Sequence, residues 1–384
     1  MAPTEVRAHM TSTSRVACIC IPTINAAKML KDALSTLMKQ DWEGKLEIWV
    51  IDSNSVDETK QVCEDFGAQW ILDNSRTRAD ACNHGIELIQ SAHPDEEVII
   101  LFTDDDALLP SDWVTSHLKW YDRDEVAGVG GQNWAPHDDP WSARCADVVI
   151  GARWITSGTR YGVVPADELT EIEHNPGVNA SYRLSVLIEV GGFASGSIGA
   201  EDVELDARLR EAGHKLWFDS SISVGHRRRT TRPFSKQMMN YGKVRWILGE
   251  RRPEVRVLTH HVIGWFPKMA HAVLATMLIS LAGLITRFPT FVISTMAAQS
   301  LFIACSIIIG LYATSCWAGA GLGNSPRRTL STVLAAPVFA FIAHYGYGKG
   351  VQLGKQHVRL HGNRVGIGEQ VDDRTRDSDR SHLP

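Results

Sequence analysis

No aspartate or glutamate occurs between Val255 and Gly368, and that gap divides the chain. The residues before it are acid-rich and patterned like a soluble protein; those within it are not. Inside the gap, Met269–Ile285, Phe288–Pro326 and Thr329–Gly348 carry no Asp, Glu, Lys or Arg. A membrane-crossing helix needs about 20 predominantly apolar residues, with a range of about 17–25. Each stretch is long enough, and a soluble core rarely runs so far without acids. Two to three transmembrane helices are therefore expected over residues 267–348, which makes the chain a multi-pass membrane protein.

Just ahead of these stretches, His226–Val257 holds ten Lys or Arg against Glu250 and Glu254. Phe234, Met238, Tyr241 and Leu248 recur there at helical spacing. A basic amphipathic helix at a membrane surface has this pattern, and so has a helix with a solvated basic face. Residues 233–266 are read as a membrane-interface segment. Basic residues collect on the cytoplasmic side, so the soluble part is expected there. Arg327 and Arg328 fall on the same side after two crossings. A third full crossing would carry Lys349, Lys355 and Arg359 outside, against that rule, which favours one interfacial or re-entrant segment. Residues 349–384 read as a polar tail. Residues 1–14 lack the apolar core of a secretory signal and read as a disordered lead-in.

Net charge is −5 and 44% of residues are hydrophobic, so a packed core is expected rather than disorder. No nucleic-acid polymer is expected as a partner. Seven cysteines without CxxC spacing give neither a zinc motif nor a disulfide framework.

Before the basic segment, apolar runs alternate with helical patterns. Val16–Ile21, Leu46–Ile51, Trp70–Leu72, Val98–Phe102 and Val126–Gly130 read as strands; Ala26–Lys39, a segment from Asp57 toward Phe66, and Arg78–Gln90 read as helices. Such alternation implies an α/β fold with a mostly parallel sheet covered on both faces. Right-handed crossovers then put the strand ends on one edge, where ligands bind. At that edge Val98–Phe102 runs into Asp104-Asp105-Asp106. Three adjacent carboxylates repel, and each raises the cost of ionising the others. A hard cation such as Mg²⁺ or Mn²⁺ relieves this; a solvated acidic turn before the helix at Asp112 is the other reading. Residues 138–177 lose periodicity, as binding loops do. Trp154 and Tyr161 within them suit sugar stacking or lid packing equally.

Further motifs fall in order: Pro22-Thr23-Ile24-Asn25 after the first strand, Asp52-Ser53-Asn54 after the second, Arg78 opening a helix, Asn179 to Arg183, Gly191-Gly192-Phe193, Glu201-Asp202, and His226. Together with Asp104 and Asp106, they resemble glycosyltransferase family 2, the inverting, nucleotide-sugar-dependent enzymes of the GT-A fold. The resemblance covers roughly Val16–Arg245 and places a GT-A domain at 15–232. It is closest to the membrane-attached members that build polysaccharides or glycolipids.

The resemblance implies roles by position. Pro22, Thr23, Asn25, Asp52, Asn54, Arg78, Asp104 and Glu201 would bind the donor, with Asp52 on the base. Ser53 replaces a common second Asp, which leaves the base identity open. Asp104, Asp106 and His226 would hold Mg²⁺ or Mn²⁺, and Asp202 would be the catalytic base. Donor and acceptor would be a nucleotide-sugar and a lipid-linked or glycan hydroxyl. Gly242-Lys243-Val244-Arg245-Trp246 resembles the QxxRW motif of processive synthases with Gly242 in place of the Gln, which favours single-sugar transfer. The alternatives are a polyprenyl-phosphate sugar synthase, a small processive synthase, and an inactive scaffold of the same fold.

Overall fold

The computed structural model describes residues 15–75, 77–152, 169–197, 199–256, 262–286, 292–322 and 325–361. The lead-in 1–14, Trp154, Tyr161 and the tail beyond residue 361 lie outside the described residues. Elements run β1 (Val16–Thr23), α1 (Ala27–Leu37), β2 (Leu46–Asp52), α2 (Thr59–Phe66), β3 (Gln69–Leu72), α3 (Arg78–Ala92), β4 (Val98–Phe102), β5 (Ala107–Leu108), α4 (Trp113–Leu118), β6 (Val126–Trp134) and α5 (Trp141–Ile150). They continue with β7 (Thr170–Ile172), β8 (Ala180–Arg183), α6 (Leu184–Glu189), α7 (Glu201–Glu211), β9 (Lys215–His226), α8 (Thr231–Arg251), α9 (Phe266–Thr286), α10 (Val292–Leu322) and α11 (Leu330–His361). The described residues fall in two units, one within Met1–Pro136 and Val164–Arg227, the other within His137–Val163 and Arg228–Pro384.

The first unit is built on one sheet of order β3-β2-β1-β4-β8-β6-β9-β5, with β7 also on β9. Strands β3, β2, β1 and β4 are mutually parallel. The expected parallel sheet therefore holds for this half, and β8 turns the rest mixed by running antiparallel to both β4 and β6. Side chains alternate across a strand, so each strand feeds two cores. Ala17, Ile19 and Ile21 of β1 join Ile99 and Leu101 of β4 against Leu30 and Leu34 of α1 and Trp113 of α4. The intervening Val16, Cys18 and Cys20 join Ile100 and Phe102 against Cys82, Ile86 and Ile89 of α3 and Leu205 of α7. That two-faced burial is why β1 and β4 read as unbroken apolar runs. It also puts the carboxyl ends of β1, β2 and β4 side by side.

The second unit is helical among its described residues. Phe234 and Met238 of α8 pack with Cys145 and Val149 of α5, Cys316 of α10, and Phe339 and Ala343 of α11. Helix α11 lies on α8 at backbone distance. A β-carbon on Gly350 would strike the Met239 carbonyl oxygen, one on Gly346 would come within 2.8 Å of the Ser235 oxygen, and one on Gly354 within 2.8 Å of the Lys243 oxygen. These glycines recur every four residues, so they line one face of α11. From the other side, a β-carbon on Gly242 of α8 would strike the Tyr347 carbonyl oxygen. Asp147 of α5 is buried and accepts from Arg228 Nε at 2.8 Å and from Ser325 Oγ at 2.7 Å. Ala297–Leu322 and Leu330–Leu360 are long and apolar enough to cross a membrane; Phe266–Ala282 is apolar and shorter. Ile279, Ile303 and Ile308 stand more than half exposed, as a lipid-facing surface requires.

Candidate active site

Each functional side chain reaches the site from the end of a sheet strand or the start of a helix. After β4, Thr103 N still bonds Cys20 O, and the chain then turns. The three acids part there. Asp105 is buried and its Oδ2 accepts Thr23 Oγ1 at 2.7 Å, which ties the turn to the end of β1. Asp104 and Asp106 stay partly exposed. The pairing of β5 with β9 sets Ala107 opposite His226. His226 Nε2 consequently lies 3.3 Å from Asp106 Oδ1 and 3.7 Å from Asp104 Oδ2. One ligand atom from each of Asp104, Asp106 and His226 falls within 4.8 Å of the others. Two carboxylates with one imidazole fit a divalent cation of the Mg²⁺ or Mn²⁺ kind.

A second group, Cys18, Glu47 and His93, has comparable spacing. It sits toward the amino ends of β1 and β2, away from the acids. Burial pushes the Cys18 thiol up to about 12, so the sulfur stays protonated. His93 is already engaged by Glu47 at 3.0 Å and by Glu96.

Arg78, at the start of α3, joins the metal-ligand group to α7. Its Nε and Nη2 donate to Asp104 Oδ1 at 3.2 and 3.1 Å, Nη2 also to Gly177 O at 3.0 Å, and Nη1 stands 3.7 Å from Glu201 Oε1. Burial opposes the Arg78 charge, but the surrounding acids, Asp104 first, raise its pKa well above the ordinary arginine value. Glu201 and Asp202 open α7, where the helix dipole favours negative charge. Burial, with Asp202 adjacent, pushes the Glu201 carboxyl above its usual range. Asp202 Oδ1 accepts Val203 N at 2.9 Å and Oδ2 accepts Gly177 N at 3.3 Å.

The remaining positions form a linked pair of loops. Pro22 and Thr23 end β1, still in register with Ile51 and Asp52. Asn25 and Asn54 both take positive φ, at 48° and 65°. Asn25 Oδ1 accepts Val56 N at 2.9 Å, and Asn25 N donates to Ser55 Oγ at 2.7 Å. Asp52 is buried: Oδ1 accepts from Ser55, and Oδ2 accepts Trp70 Nε1 at 2.9 Å. The structure thus gathers Arg78, Asp104, Asp106, Glu201, Asp202 and His226, and joins the loop group to them through Thr23–Asp105.

Two residues that sequence reasoning missed complete the surroundings of Asp202. His174 Nε2 stands 3.8 Å from Asp202 Oδ2, and His174 Nδ1 lies 3.0 Å from Oδ2 of the fully buried Asp206. The spacing of Asp206, one helical turn after Asp202, carried a signal. His174 lies in the aperiodic stretch and gave none.

Residues 18–191 match the model of glycosyl transferase family 2. Asp202 and His226 lie beyond the matched residues. An O-antigen chain rhamnosyltransferase of Salmonella typhimurium is 28% identical over 54% of this chain and 65% of the relative, just under two thirds of its length. A glycosyltransferase of Haloferax volcanii, AglE, is 24% identical over 68% of this chain and 85% of the relative. Among solved structures, a mannosyltransferase of Pyrobaculum calidifontis in complex with GDP-Man and Mn²⁺ is 17% identical with a TM-score of 0.47, covering 84% of this chain and 85% of that one.

Proposed function

We propose that this chain, which matches the glycosyl transferase family 2 model over residues 18–191 and has, among its described residues, two helices long and apolar enough to cross a membrane, is a membrane-attached enzyme of that family with a GT-A domain, and that it moves one sugar, with inversion, from a nucleotide-diphospho-sugar to a lipid-linked or membrane-proximal hydroxyl. The observation that carries this reading is the convergence of Asp104, Asp106 and His226 beside Arg78 and Asp202.

The roles follow from charge. The diphosphate gains negative charge as its bond to the anomeric carbon breaks. A divalent cation held by Asp104, Asp106 and His226 would supply Lewis-acid stabilisation there. Arg78 keeps a fixed positive charge beside Asp104 and can donate to a phosphate oxygen. The acceptor hydroxyl needs a base as it attacks, and Asp202 is that base, a contribution typically of about 10²–10⁴-fold. A single displacement inverts the anomeric centre, so the reaction uses no carboxylate nucleophile. The loops bearing Pro22, Thr23, Asn25, Asp52 and Asn54 form the nucleotide side; the buried Asp52 carboxylate shapes its loop.

Several features support the acceptor and the side of the membrane. The first relative named above acts, by its name, on O-antigen chains. The basic run of His226–Val257 favours a cytoplasmic catalytic domain. Single transfer fits position 242, where a Gln would need the space that the Tyr347 backbone occupies. The test is Asp202→Asn in the full chain: transfer should fall by at least about 10²-fold with Mn²⁺ binding unchanged. Full activity in that variant would remove Asp202 from the role.

A further inference from the structure

Asp206 is fully buried, yet three groups converge on its carboxylate. Asn175 N donates to Oδ2 at 2.7 Å, Tyr182 Oη donates to Oδ1 at 2.8 Å, and His174 Nδ1 lies 3.0 Å from Oδ2. Burial raises the Asp206 carboxyl above its usual range, and the bonds from His174, Asn175 N and Tyr182 act against that rise; as a carboxylate Asp206 only accepts, and Nδ1 then carries the proton. That fixes the imidazole: in its neutral form Nε2 is left with a lone pair. Nε2 faces Asp202 Oδ2 at 3.8 Å, and the His174 side chain keeps 24% of its surface open to solvent. The separation of Nε2 from Asp202 Oδ2 is longer than a hydrogen bond, and catalytic contacts are often long before substrate binds.

The geometry points to His174 as a positioning residue that relays the proton from the catalytic base, with Asp206 holding its tautomer. This inference rests on the reading of Asp202 as that base. As the acceptor oxygen bonds to the anomeric carbon, the electron pair of the breaking bond leaves on the nucleoside diphosphate. The hydroxyl proton moves to Asp202 and then to His174 Nε2. The resulting imidazolium is balanced by Asp206, and the proton leaves to water from its exposed edge. Asp202 regains its charge without waiting for the diphosphate to depart. The arrangement has the buried carboxylate–histidine pairing that orients a general base in other enzymes, one group further from the substrate.

The charged groups facing this pair are few among the described residues. Asp202, Glu201 and Asp206 come from α7, and Arg78 approaches from α3 through its bond to Gly177 O. Tyr182 backs Asp206 from β8. Arg210 bonds the neighbouring Glu173 carbonyl oxygen at 3.1 Å.

The test uses the full chain in detergent with Mn²⁺ and a panel of UDP-, GDP- and dTDP-hexoses, reading nucleoside diphosphate release with water as acceptor. His174→Ala should lower kcat by about 10–100-fold, as outer-sphere partners do, with little change in donor KM. Its pH profile should differ from that of the wild type, and added imidazole should restore part of the rate. His174→Asn, whose amide takes the Nδ1 place against Asp206, keeps the fold and should show the same kinetic loss without the imidazole response. Wild-type pH profiles in both variants would overturn the relay. If Asp202→Asn keeps full release, the base assignment fails instead; if Asp202→Asn is inactive and both His174 variants match the wild type, the relay alone fails. A second measurement needs no donor. Histidine-selective ¹⁵N NMR, with the signal assigned from His174→Asn, should show the Nδ1-protonated tautomer near neutral pH; the Nε2-protonated form would overturn the proposal.

Discussion

Arg78 binds one oxygen of Asp104 with two of its nitrogens, Nε at 3.2 Å and Nη2 at 3.1 Å, while the other oxygen of Asp104 lies 3.7 Å from His226. The forked contact fixes which oxygen faces the candidate cation. It also joins two regions far apart in sequence, the start of α3 and the end of β4. Lysine cannot reproduce it, because an ammonium is a point charge without the planar fork. Arg78→Lys should therefore behave nearly as Arg78→Ala, each lowering kcat/KM for the donor by about 10–100-fold. Steady-state donor hydrolysis checks this; a Lys variant close to wild type would show that charge alone suffices.

The three consecutive acids should separate by experiment. Asp105→Ala strands the buried Thr23 hydroxyl and should cost about 1–3 kcal/mol of stability while Mn²⁺ still raises the melting temperature. Asp106→Ala should do the reverse, with a near-normal melt and no response to Mn²⁺. Thermal unfolding with and without the ion distinguishes them.

Glu201 gives a pH dependence whose sign is fixed. Its carboxyl is raised by burial and by Asp202, so the folded state binds its proton more tightly than the unfolded chain does. Its stabilising effect is complete below the unfolded value and is lost as pH rises through the folded one. Glu201→Gln should therefore melt higher than wild type near neutral pH, and the difference should vanish toward acid pH. The same variant should lose activity, since Arg78 loses a counter-charge.

Glycines of the helical unit offer a paired test. Gly350→Leu drives a side chain into the α8 backbone and should destabilise by about 1–3 kcal/mol or more. Gly310→Ala, with no atom within 4 Å of the new carbon, should be neutral or stabilising by up to about 1 kcal/mol. Melting curves in one detergent compare the two directly.

Much of this was legible in the sequence wherever a local rule and the tertiary structure agree. Strands β1 and β4 are buried on both faces, so their apolar runs announced them, and the acids after Phe102 followed from the strand's end. The first strand, read as Val16–Ile21, runs on to Thr23, with Pro22 in register with Ile51. Strand β8 was not among the strands read from the sequence, because it is only four residues long and takes its place from β4 and β6. His226 could be assigned only by resemblance; the β5–β9 pairing that brings it to Asp106 joins residues 119 apart, and no local pattern records it. The roles of Asp105 and His174 were hidden for a similar reason, since each is set by a partner at a distance, Thr23 for one and Asp206 for the other.

The most direct measurement is Mn²⁺-dependent release of nucleoside diphosphate from a panel of UDP-, GDP- and dTDP-sugars, comparing the full-length wild type with Asp106→Ala. The account predicts release from at least one donor by the wild type, abolished by chelation of the metal and by the substitution. Release that persists unchanged after both would contradict it.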